Sequence, residues 1–232
     1  MVGMMFWTSG YTMTNNVPNG LKIGSGGLPR GRPREFDVQE VVGAAKELFW
    51  ERGYQGCTIA DLETATGLHR SSLYQAFGTK EALFGEALEL YIDSFIAPRL
   101  AAMERPGAGP RNVRDFFRGL AKLYREDAEV GRRGCLWANS LAEFSGREPQ
   151  LDARAAEYPQ RLRVAFGNAL SDGARRGSPA AQLVERRSRT LATTTIGIWL
   201  SVRVDAREAA RTCDAVAAEV SSWTQENAIG RG

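Results

Sequence analysis

The stretch Thr58-Ile59-Ala60-Asp61-Leu62-Glu63-Thr64-Ala65-Thr66-Gly67-Leu68-His69-Arg70-Ser71-Ser72-Leu73-Tyr74-Gln75-Ala76-Phe77 decides the fold. Thr58 with Asp61 three residues on reads as a helix N-cap with a first-turn carboxylate. Ile59, Leu62 and Ala65 supply a short apolar face. Gly67 ends this helix after barely two turns, because glycine takes left-handed backbone without a Cβ clash. Leu68 fills the turn, and a further short helix runs from about Arg70 to Phe77, with Leu73 and Phe77 four apart and facing inward. Arg70, Ser71, Ser72, Tyr74 and Gln75 are left to project outward. Two short helices around a glycine turn, backed by a third, make a helix-turn-helix, whose second helix enters the major groove of DNA. The outward set suits such a helix, since Arg bonds guanine O6 and N7, Gln reads adenine, and Ser and Tyr reach phosphates or thymine methyls.

The backing helix lies upstream. Val38, Val41, Val42, Ala45, Leu48, Phe49 and Arg52 follow the spacing of one helix face, and Gly53 stops it. Before it, Arg30-Gly31-Arg32-Pro33-Arg34 places three arginines where Gly and Pro deny regular structure. Arg32 and Arg34 suit an arm along the minor groove or the phosphates. From Leu28 to Gly85 seven basic residues stand against eight acidic ones, so the positive charge of this segment must be one-sided for the reading to hold.

Residues 34 to 91, and Tyr74-Gln75-Ala76-Phe77-Gly78-Thr79-Lys80-Glu81-Ala82-Leu83 above all, resemble the tetracycline-repressor (TetR) family of bacterial regulators. Thr58 to Leu62 and Gly67-Leu68 stand where that family's pattern has them. The resemblance implies an all-α protein: a three-helix DNA-binding domain over 29–80 and a larger helical effector-binding and dimerisation domain over 81–228. It implies a cytoplasmic homodimer on a palindromic double-stranded DNA operator, with repression relieved by a small-molecule effector whose identity the sequence does not name. By the same resemblance Thr58 and Lys80 hold phosphates, and Arg70, Ser72, Tyr74 and Gln75 lie along bases and backbone. His69 departs from the pattern, which has Ser or Asn as the cap here. Imidazole caps a helix less well, leaving His69 to contact DNA or to make binding sensitive to pH.

Composition narrows the alternatives. The 232 residues are 43% hydrophobic and 25% charged, near the globular average, and no apolar run approaches a membrane span. Net charge is only +3, and the 30 basic residues are nearly all arginine. Three irregularly spaced cysteines make neither a disulfide framework nor a metal pattern and fit a reducing compartment. A single histidine, no Walker-type loop and no Cys-x-x-Cys argue against an enzyme, a metal site or a cofactor. A nonspecific DNA-organising protein is the competing class. Residues 1–28, with Lys22 their one charge, read as a disordered leader or an over-called start.

Downstream of the cap Thr79, a long helix carries Leu83, Phe84, Ala87, Leu88, Tyr91 and Phe95 on one face, and Pro98 should kink or end it. After a break at Arg105 to Pro110 come further helical periods, one of them running from Pro149 to about Arg176, with no strand-like alternation. Candidate pocket residues are Phe95, Met103, Phe117, Tyr124, Cys135, Trp137, Asn139, Phe166 and Trp199. Leu191, Thr194, Ile198 and Val202, with Cys213, Val216 and Val220, form stripes on the last two helices that suit a dimer surface. Cys135 follows Arg132-Arg133-Gly134 at a helix start, where free N–H groups and guanidinium charge lower a thiol pKa. Gly134-Cys135-Leu136 also resembles a branch of the family that senses electrophiles, although Arg203 stands where those sensors carry a lysine. A thiol-based repressor acting through Cys135 is therefore an alternative.

Overall fold

A computed structural model describes residues 36–144, 149–171 and 178–229, all helical or joining helices, with no strand among them. The leader, the arm with Arg32 and Arg34, and the expected helix end near Arg176 lie outside the described residues. Helix α1 spans Val38–Arg52, capped by Asp37, whose carboxylate accepts from the Gln39 amide at 2.8 Å. Its apolar face begins at Val41, and Val38 at the first helical position stays 43% exposed.

α2 spans Ile59–Thr66. Thr58 Oγ1 accepts from the Asp61 amide at 3.1 Å, and Asp61 Oδ2 accepts from the Thr58 amide at 2.9 Å. This reciprocal box satisfies two otherwise unpaired donors and stabilises the helix start by about 1 kcal/mol. Leu62 is buried and Ile59 half-buried, but Ala65 faces solvent. At about 100° per residue Ala65 lies past the covered arc, and half-buried Thr66 falls between Ile59 and Leu62 instead. Gly67 closes α2 in the left-handed region, φ 71 and ψ 8. α3 spans Arg70–Phe77, with Leu73 buried and Phe77 half-buried.

Thr79 caps α4, Lys80–Tyr91, by accepting from the Ala82 amide at 3.1 Å. Pro98 does not end this helix. The chain passes through a π turn, Ile92–Ile96, and re-forms as α5, Ala97–Glu104, with the proline in its first turn. The wider turn accommodates a residue that lacks an N–H and crowds the carbonyl four residues earlier. There follow α6 (Pro110–Glu126), α7 (Ala128–Arg133), α8 (Leu136–Phe144), α9 (Pro149–Leu170), α10 (Pro179–Ser201) and α11 (Ala206–Ile229). α1 packs across α4, α6 along α11, and α9 along α10. Stacked Phe117 and Phe166, with Phe116 edge-on to both, fill the centre of the larger body.

The expected dimer stripes are corrected. Leu191, Ile198, Val202, Cys213 and Val220 are at most 3% exposed within the single chain. Intrachain packing covers them, so they cannot also meet a second copy. Thr194 and Val216 are half-buried, while Leu200 (43%) and Val204 (89%) are the apolar side chains exposed near the α10–α11 corner.

Candidate nucleic-acid interface

Arg70, Ser71, Tyr74 and Gln75 are exposed on α3, and Ser72 is half-buried. The guanidinium of Arg70 lies 5.5 Å from the Tyr74 ring centre, so the two form one patch. His69, also exposed, makes no side-chain cap. Glu63 takes that duty: its Oε1 accepts from the Arg70 amide at 2.6 Å. Sequence reading missed this, because the substitute comes from the preceding helix. Thr58 is exposed at the start of α2, its hydroxyl engaged with Asp61. Lys80 turns inward: Nζ donates to the Tyr54 carbonyl at 2.7 Å and sits 4.1 Å over the Tyr54 ring.

The acidic residues of this segment are each held by a nearby donor. Asp61 accepts from Thr58 and from Arg52, which keep its carboxyl below the usual range. Glu81 accepts from the Tyr54 hydroxyl at 2.6 Å and is likewise held low. Glu47 and Glu51 point to α7, where Arg133 reaches Glu47 at 2.6 Å and Arg132 grips Glu51 through two bonds of 2.7 Å. This meets the one-sidedness that the balanced charge count demands, since these acids are neutralised away from Arg70.

The α1–α7 contact belongs to a larger latch. Trp50 Nε1 on α1 donates to the Gly134 carbonyl at 2.8 Å, and Glu143 on α8 accepts from the Gln55 amide at 2.9 Å. Gly134 is required there. Its φ is 69, and a Cβ would stand 2.6 Å from the Arg203 side-chain stem. Arg132 and Arg133, expected to activate Cys135, pair with carboxylates instead.

Cys135 is 5% exposed, and burial pushes its thiol up to about 11, outweighing the amides at the start of α8. The expected lowered pKa is therefore corrected. Among the candidate pocket residues, Phe95, Tyr124, Cys135 and Trp199 line one internal void, together with Tyr91, Arg99 and others. Met103, Phe117 and Phe166 are wholly buried core, and Trp137 packs behind Trp199 at 6.2 Å between ring centres. Asn139 caps the end of α7 by donating to the Arg133 carbonyl at 2.9 Å. Sequence reading missed Arg99, whose signal was a lone cation in the run Ile96-Ala97-Pro98-Arg99-Leu100-Ala101-Ala102-Met103.

Among the described residues no cluster suits a metal ion, and no helix is long and apolar enough to cross a membrane. The family model of bacterial regulatory proteins, tetR family, matches residues 41–87. The chain is 32% identical over 140 residues to the uncharacterized HTH-type transcriptional regulator YezE of Bacillus subtilis, covering 60% of this chain and 71% of that one. It is 33% identical over 117 residues to the HTH-type transcriptional repressor ComR of Escherichia coli, covering 50% of this chain and 55% of that one. A cysteine mutant of the TetR family transcriptional regulator CifR, solved with 26 bp double-strand operator DNA, superposes with a TM-score of 0.60. That match has 26% identity and covers 82% of this chain and 97% of that one. With the capped α2–turn–α3 unit, its outward patch and these relatives agreeing, the chain belongs to the tetR family of bacterial regulatory proteins.

Proposed function

We propose that this chain is a cytoplasmic transcriptional repressor that binds a two-fold operator as a homodimer and leaves it when a small molecule occupies the helical body. The observation that carries this reading is the exposed Arg70–Tyr74–Gln75 patch on a capped helix, with the neighbouring acids paired elsewhere. Residues 29–80 are the reading head and 81–228 the effector and dimerisation part. Arg32, Arg34, Thr58, His69, Ser71, Ser72 and Lys80 supply phosphate and edge contacts, Lys80 swinging out from Tyr54 to do so. Two-fold pairing uses the outer faces of α10 and α11 around Thr194, Leu200 and Val216.

The latch supplies the coupling. Gly134 and Cys135 line the internal void, and Gly134 is also bonded to Trp50 of α1. A ligand that displaces this corner moves α1 with it, and so changes the separation of the two recognition helices. It lowers operator affinity by its differential affinity for the two separations.

The test is fluorescence anisotropy with the DNA just upstream of the gene against a scrambled duplex, at near-physiological salt. Tight binding to the upstream duplex alone supports a sequence-specific regulator. Arg70→Ala should then cost about 1–3 kcal/mol on the specific duplex and leave nonspecific binding intact. Equal binding to both duplexes, with steep salt dependence, would favour a DNA-organising protein instead.

A further inference from the structure

Arg99 separates two spaces. Inside lies the void lined by Tyr91, Phe95, Tyr124, Cys135 and Trp199, about 10 Å³, room for a single water. Outside runs a groove of about 480 Å³ between α5 and α6, a size that suits small ligands. Arg99 and Leu120 line both. The groove's apolar wall is Ala102, Phe116, Leu120 and Leu123, and at Gly119 an added Cβ would meet nothing within 4 Å.

The charges on this groove are matched, with one exception. Asp115 pairs with Arg111 and Arg114, and Glu126 with Lys122. Arg99 donates to the Phe95 carbonyl and stacks its guanidinium 3.7 Å over the Phe95 ring. No carboxylate among the described residues pairs with it, and its half-buried position disfavours its charge. A second donor waits behind it: the Tyr91 hydroxyl is buried, lines the same void, and has no hydrogen-bond partner. A half-buried guanidinium and a buried phenol without acceptors, beside an apolar channel, are complementary to an anionic oxygen pair on an apolar body.

We infer that the effector of this protein is a small monocarboxylic acid with an apolar body, which lies in the α5–α6 groove with its carboxylate on Arg99. The inference rests on the regulator reading above and names its ligand class. The carboxylate draws Arg99 away from Phe95 and presents an oxygen toward Tyr91. Phe95 contacts Trp50 at 5.4 Å between ring centres, and Trp50 is anchored on α1, so the exchange reaches the reading head through two aromatic rings.

The experiment is isothermal titration of the full chain at pH 7.5 with benzoate, phenylacetate and octanoate, each beside its neutral amide. At least one acid should bind saturably, with its amide about ten- to hundredfold weaker, the effect of one charge-assisted pair. Arg99→Gln should lose affinity by the same factor while Arg99→Lys retains part of it. Gly119→Leu, which leaves Arg99 untouched but fills the groove, should abolish binding; an unchanged melting temperature shows that each variant is folded. Binding of none of the acids, equal binding of acid and amide, or full affinity in folded Arg99→Gln would each overturn the inference. Operator binding is measured separately, so acid binding without any DNA binding would sink the regulator reading alone.

Discussion

Replacing Trp50 with phenylalanine should lower unfolding free energy by about 2–3 kcal/mol. The indole N–H to the Gly134 carbonyl, 2.8 Å across 84 residues of chain, contributes a net ~1 kcal/mol. Its loss leaves a carbonyl at a buried residue without that donor, roughly another 1 kcal/mol. The smaller ring gives up on the order of 1 kcal/mol of apolar burial. The edge contacts to Tyr91 at 5.1 Å and to Phe95 are kept in part, which is why phenylalanine and not alanine is the informative change. Urea unfolding followed by far-ultraviolet circular dichroism measures the difference, provided the slope against urea is unchanged. Trp223→Phe is the internal control: that indole bonds Glu219 at 3.0 Å at the surface, and its loss should stay within about 0.5 kcal/mol. If Trp50→Phe were as mild as the control, Trp50 would not tie α1 to the α7–α8 corner, and the proposed coupling route would fail.

Further expectations follow from the same contacts. Glu63→Ala should cost about 1 kcal/mol by uncapping α3, with part recovered when His69→Ser supplies a local cap; a loss under about 0.3 kcal/mol in urea would mean water serves the Arg70 amide equally well. Glu51, Asp61 and Glu81 are held below their ordinary values by Arg132, Thr58 and Tyr54 respectively, so the unfolded chain takes up their protons first. Their stabilisation is complete above about pH 4.5 and is lost as pH falls through the lower folded values; a melting temperature that rises between pH 4.5 and 3 would contradict the assignment. Cys135, with its thiol near 11, and the buried Cys57 and Cys213 should react with a disulfide reagent at pH 8 only as the chain unfolds. Fast labelling of the folded protein that Cys135→Ser abolishes would reinstate the thiol switch.

The reading head was legible because its signals are local. A Thr-x-x-Asp box, a glycine at a left-handed C-cap and a Leu–Phe pair one turn apart act within a few residues of one another, so their meaning survives without tertiary context. Ala65 shows the limit even there: a three-residue step suggested an inward face that the rotation of a short helix assigns to Thr66. Pro98 shows another, since a helix can widen by a π turn where the sequence announces only an interruption.

By itself, then, the sequence determined the all-α class, the capped helix-turn-helix and the outward set on α3, all products of short-range backbone chemistry. Tertiary structure alone decided which apolar stripes are core, turning Leu191, Ile198, Val202, Cys213 and Val220 inward, because a period reports that a face is covered and not by what. It also decided the partners of charge. Arg132 and Arg133 meet Glu51 and Glu47 more than 80 residues away, while Arg99 meets no carboxylate among the described residues. Charge is read along the chain one residue at a time, whereas its pairing depends on distances that exist only after the helices pack.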